Sequence, residues 1–106
     1  MYITSTDYVP GYEITEIIGV VEANNIQARH MGKDLVSFLR TIIGGELTEY
    51  KEMLDDAREK AKKELIEIGK EKGADAIINI RYSTSAVMQG AAEILCYGTA
   101  VKLKKE

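Results

Sequence analysis

The chain has 106 residues, 45% of them hydrophobic and 29% charged, with a formal net charge of −3. That is the composition of one globular domain spanning 1–106, and it excludes both a disordered chain and a general phosphate-backbone binder. The single cysteine excludes an intramolecular disulfide framework and points to a reducing, cytoplasmic setting.

Met1 to Ile3 predicts a short strand, followed by a polar stretch and a turn at Val9-Pro10-Gly11. The start, MYITSTDYVPGYE, has neither a basic nor an apolar region of the kind that opens a signal peptide. Tyr12 to Ala23, YEITEIIGVVEA, is rich in the β-branched and aromatic residues that suit a pleated surface. Strict alternation puts Tyr12, Ile14, Ile18 and Val20 on one face and Ile17, Gly19, Val21 and Ala23 on the other. Both faces are then apolar, so helices cover one and a second protomer is the simplest cover for the other.

Asn24 to Gly32 reads as a loop carrying Arg29 and His30. A first, short helix is predicted over Lys33–Ile43, closed by Gly44-Gly45. A second, long helix is predicted over Leu47–Lys72. Leu47, Tyr50, Leu54, Ala57, Ala61, Leu65 and Ile68 form its apolar stripe, and Gly73 caps it. Its other face carries i,i+4 charge pairs such as Asp56 with Lys60, Glu59 with Lys63 and Lys60 with Glu64. Two strands follow, Asp75–Ser85 and Glu93–Lys104, joined through a turn at Gln89-Gly90 as a hairpin. On the first, Ile78, Ile80 and Tyr82 share one face and Ile77, Asn79 and Arg81 the other. On the second, Leu95, Tyr97, Thr99, Val101 and Leu103 oppose the small residues Cys96, Gly98 and Ala100. No apolar run approaches the roughly 18–20 residues of a membrane helix. The order predicts an α+β fold of two layers, an antiparallel sheet packed on one short and one long helix.

Few residues invite chemistry. Gly44-Gly45-Glu46 precedes a helix but lacks the further Gly or Lys of a phosphate loop, and reads as a hinge and cap. Cys96, mid-strand, reads as a small buried hydrophobe, with the only histidine, His30, far away in sequence. Met31, Met53 and Met88 are of a type that binds Cu(I), but their scatter reads as packing. Glu16 and Glu93 sit in strands, where a buried carboxylate needs a partner such as Arg81 or Arg40, or serves as acid, base or metal ligand. Abundant Lys, Glu and Ile, with only six Asn, Gln and Cys together, lean toward a thermophile's composition.

Five segments together carry a resemblance: PGYE at Pro10–Glu13, IGVVEANN at Ile18–Asn25, GGELTEY at Gly44–Tyr50, GADAI at Gly73–Ile77 and AEILCYGTAV at Ala92–Val101. Over essentially its whole length the chain resembles the small prokaryotic YbjQ-like family, described as heavy-metal-binding proteins. The resemblance implies a dodecin-like subunit, a ring-shaped homopentamer and a metal-binding role. The signature positions that carry over are Gly44, Gly45, Glu46, Tyr50, Arg58, Glu93, Tyr97 and Gly98.

Residues and resemblance together predict a non-enzymatic, cytoplasmic homo-oligomer that binds a divalent or soft metal ion, or a small ligand, at its subunit interfaces. Glu46, Glu93 and Cys96 are the predicted ligands, an oxygen-rich site is favoured over a thiolate one, and neither membrane nor nucleic acid is an expected partner. The alternative is a structural or regulatory interaction module presenting the charged long helix. A further alternative is a small enzyme with Glu93, Tyr97 and Arg58 between subunits.

Overall fold

A computed structural model describes residues 1–28, 48–88 and 91–106. Strand β1 (Tyr2–Ile3) leads through the polar turn to β2 (Tyr12–Ala28). Helix α1 (Thr48–Glu71) follows, and β3 (Ala76–Met88) and β4 (Ala91–Lys105) close the chain. The predicted short helix over Lys33–Ile43 lies outside the described residues, as do Gly44-Gly45-Glu46 and the Gln89-Gly90 turn.

The four strands form one sheet in the order β1-β3-β4-β2. β4 is antiparallel to both its neighbours, whereas β1 runs parallel to β3. The sheet is therefore mixed, not wholly antiparallel. Only two residues of chain separate β3 from β4, which dictates antiparallel pairing, but β1 and β3 are separated by β2 and α1, and no short connection constrains their direction.

Helix α1 forms where the stripe predicts it. Ala57, Ala61 and Leu65 are fully buried and Leu54 and Ile68 pack at the margins. Burying a side chain such as Leu65 contributes about 1.5–3 kcal/mol, more than any one exposed ion pair on the opposite side. Of the predicted pairs, Asp56 with Lys60 forms at 2.9 Å. Glu59 instead meets Lys62, and Asp55 gathers both Lys51 and Arg58. The helix ends as Gly73 predicts. Gly73 takes φ +78°, its N–H donates to the Lys70 carbonyl, and the Ala74 N–H donates to that of Gly69. This doubly bonded ending satisfies carbonyls the helix would otherwise leave unpaired.

Ile77 joins helix to sheet. An added Cβ at Gly69 of the helix would stand 2.8 Å from its Cδ1, and one at Gly98 of β4 would stand 2.8 Å from its Cγ2. Gly98 of β4 therefore makes room for a side chain of its own chain.

Strict alternation fails at four irregularities. Register shifts lie between Ile14 and Glu16 and between Ile17 and Gly19 on β2, between Ile78 and Arg81 on β3, where Asn79 takes φ +54°, and between Ala86 and Met88 near the end of β3. An extra residue in a strand reverses the facing of everything beyond it. Ile18 thereby joins Val21 and Ala23 on the helix side, and Ile80 joins Ile77 there. Ile78 passes to the opposite side, where Val9, Ala76 and Val101 make a second, smaller core with Tyr12, Ile14 and Leu103. Ile17, Val20 and Ile26 are left 70%, 73% and 57% exposed.

β2 also runs on to Ala28 instead of giving way to a loop at Asn24. β4 supplies partners for the extra residues, with Asn24 opposite Leu95 and Ile26 opposite Glu93. These long strands give a molecule 56 Å in its longest dimension, with a radius of gyration of 17.4 Å. A compact domain of comparable size has a radius near 13 Å. Among the described residues, no helix is long and apolar enough to cross a membrane.

Candidate functional site

β4 divides the predicted ligands between its two faces. Side chains alternate along a strand, so Glu93 and Cys96, three residues apart, point to opposite sides of the sheet. Cys96 faces α1 within the main core and is fully buried, while Glu93 stands half-buried on the open side. One chain does not bring the two together. Glu46, the third predicted ligand, lies outside the described residues.

The environment of Cys96 favours its neutral thiol. Burial pushes its pKa up, partly countered by the Tyr82 hydroxyl and the Lys62 ammonium. Tyr82 is directly opposite Cys96 in the β3–β4 ladder, and its own hydroxyl is shifted upward by burial first and by Cys96 next. Since the thiolate is the metal-binding and nucleophilic form, this cysteine is set up as packing. His30, the only histidine available to pair with it, is outside the described residues.

Glu93 has a more open setting. Asn24 Nδ2 donates to Glu93 Oε2 at 3.0 Å across the β2–β4 ladder. The two line a shallow hollow of about 370 Å³ with Glu22, Ala23, Leu95 and Glu64. Asn24 emerges only from the structure, because the sequence reading ends β2 at Ala23. The signal was available, since Glu22, Asn24 and Ile26 continue a period of two beyond that point.

The other candidates separate. Glu16 is exposed beside a bulge and needs no buried partner. Arg81 donates to the backbone carbonyls of Ser5 and Ile80, both at 2.9 Å, so within one chain its contacts are with main chain. Arg58 sits on α1 with Asp55, on the opposite side of the sheet from Glu93 and Tyr97. The enzyme constellation is therefore not assembled within one subunit. Of the methionines, Met53 is half-buried on α1, Met88 ends β3, and Met31 is outside the described residues.

A heavy-metal centre fits one chain poorly. Among the described residues, no three His, Cys, Asp or Glu side chains converge closely enough to hold an ion, and the one thiol is buried and held neutral. Structural soft-metal sites call for several thiolate or imidazole donors.

The chain is similar to the UPF0145 protein of Methanosarcina acetivorans, 54% identical over 103 residues that cover 97% of each chain. It is also similar to that of Archaeoglobus fulgidus, 52% identical over 96% of this chain and 94% of the relative. A third, from Thermosipho africanus, is 50% identical over 99% and 97%. Its fold resembles the crystal structure of a protein of unknown function in the DUF74 family from Pediococcus pentosaceus. The TM-score is 0.59 at 23% identity, covering 98% of both chains. Residues 1–104 match the YbjQ family model, described as "Putative heavy-metal-binding", and with the half-identical relatives this establishes that the chain belongs to the YbjQ family.

Proposed function

We propose that this protein works as a homo-oligomer, a ring of five copies, that binds a divalent metal ion between subunits through carboxylate oxygens, with Glu93 as the principal ligand. The observation that carries this reading is the position of Glu93. Its carboxylate sits on the open face of the sheet, oriented by Asn24 and flanked by Glu22, where a second copy can add donors that one chain lacks. Ile17 and Val20 on the same face, and the elongated form of the single chain, support assembly. The family's description supports a metal, and the donor type supports a hard or borderline ion over a soft one.

No catalytic role is assigned. A cytoplasmic location is part of the proposal, supported by the lone cysteine.

Native mass spectrometry of the full chain, with and without divalent metals and Cu(I), tests the reading. A five-subunit ion with metal in whole-number stoichiometry, lost in Glu93→Gln while the oligomer persists, is the expected result. A five-subunit ion that takes up no metal favours the interaction module, whose ion-paired α1 surface would then be the part to reverse in charge. A monomer overturns the assembly itself.

A further inference from the structure

We propose that copies of this chain join head to tail by edge pairing: β2 of one sheet lies parallel to the Arg81–Met88 stretch of β3 in the next. This rests on the oligomeric reading above and specifies which surfaces meet.

Among the described residues the sheet has two open edges, on opposite sides. β2 is an outermost strand of 17 residues, and the only described strand it pairs with is β4. At the other side, the first turn of chain covers β3 only as far as Ile80. β1 pairs with Ala76 and Ile77, Thr4 bonds to Ile77 and Ile80, and Thr6 accepts from Asn79. From Arg81 onward, no described residue pairs with that side of β3. Long uncovered edges present rows of unsatisfied N–H and C=O groups that invite another strand.

Direction and level agree. β2 and β3 are both antiparallel to β4, so they run the same way, and a copy placed alongside by rotation offers β3 parallel to β2. Tyr97 pairs with Arg81 on one side and Glu22 on the other, so Arg81, Tyr97 and Glu22 form one row across the open face. Continuing that row from copy to copy brings Glu22 next to Arg81 of the neighbour. Among the described residues, neither has an ion-pair partner within its own chain.

Charge selects this pairing over its rival. Tyr12–Ala28 contains Glu13, Glu16 and Glu22 and no Lys or Arg, so β2 against β2 sets acid against acid. Arg81–Met88 contains one arginine and no acid. Such a head-to-tail contact uses a different surface on each partner, so it does not stop at two, and it makes a ring where the rotation between copies closes. It also keeps α1 of each copy on the same side of the continued sheet.

The test is mixed cross-linking of the full chain in a Cys96→Ala background, with Ile26→Cys and Ser85→Cys as single variants. Ile26 and Ser85 lie on one row through Glu93, and both are exposed. With a short bifunctional maleimide, the two variants assembled together are expected to give a cross-linked dimer that neither gives alone. Restored assembly in Glu22→Lys combined with Arg81→Glu, after loss in Glu22→Lys alone, is the second expected result and leaves the cross-linking positions untouched. Cross-linking of Ile26→Cys with itself overturns the proposal in favour of β2–β2 pairing. An oligomer with neither mixed product nor charge rescue overturns the edge pairing while leaving the oligomer standing. A monomer by native mass spectrometry removes both.

Discussion

On the helix side of β4, Ala92, Ile94, Cys96 and Ala100 are all buried, each in contact with other parts of the same chain. On the other side Val101 is buried in the smaller core, but Leu95 and Thr99 are only half-buried and Tyr97 is exposed, beside Val20 and Glu22 of the neighbouring strand. The same backbone thus serves a face finished within one subunit and a face left open. The finished face holds the larger of the two cores, and the smaller one lies on the other side. The open face carries Glu93 and the exposed Ile17, Val20 and Ile26, and it is where the proposed metal site and assembly are to be tested.

The largest effects should come from the finished face. Leu65→Ala is expected to cost about 2–5 kcal/mol through lost burial and the cavity left behind. Val20→Ser on the open face should leave single-chain stability within about 0.5 kcal/mol and weaken the oligomer. Urea unfolding at two protein concentrations separates the two, and equal costs would erase the contrast between the faces.

Next come the two glycines that flank Ile77. At Gly98 an added methyl would also stand 2.9 Å from the Ile78 carbonyl oxygen, a backbone atom that cannot easily yield. Gly98→Ala should therefore cost about 1–3 kcal/mol by overpacking. Gly69→Ala meets the movable end of Ile77 and gains about 1 kcal/mol of helix propensity, so it should cost less. Thermal melts of the pair check that ranking.

A smaller effect concerns Cys96. Its folded pKa lies above the ordinary 9.0, so the folded state holds the proton where the unfolded chain releases it. Stability is then fully present below that value and falls as pH rises toward the folded value. Melts between pH 7 and 10 should show this fall, and Cys96→Ala should flatten it. The thiol should also resist a disulfide reagent until the protein unfolds.

The smallest effect belongs to Asp55, whose carboxyl Lys51 foremost, with Arg58, holds below its usual range. The sign is opposite: its contribution is present above the unfolded pKa and is lost as pH falls through the folded one. On an exposed helix face this is weak and screened by salt, so Asp55→Asn should leave the melting temperature unchanged within error at physiological ionic strength.

How much was legible beforehand differs along the same lines. The α1 stripe and its Gly73 ending were readable because a helix's apolar spacing and its left-handed stop are local. The small-residue side of β4 was readable too, since alternation holds there without interruption. The facing of Ile17, Ile18 and Ile80 was not, because a bulge depends on how the partner strand is matched. Asn24 was hidden for a related reason. An Asn-Asn pair favours a loop locally, and only the ladder with β4 holds it in a strand where it can reach Glu93.

Sequence alone determined the long helix and its end, the antiparallel pairing of the last two strands, the burial of the lone cysteine and the family. These rest on periodicity, turn chemistry and motifs that need no distant partner. Tertiary structure decided that the sheet is mixed, that Glu93 and Cys96 part to opposite faces within one chain, and which apolar residues stay outside. Each of those outcomes depends on register between strands far apart in the chain, and one inserted residue reverses the side on which every later side chain lies.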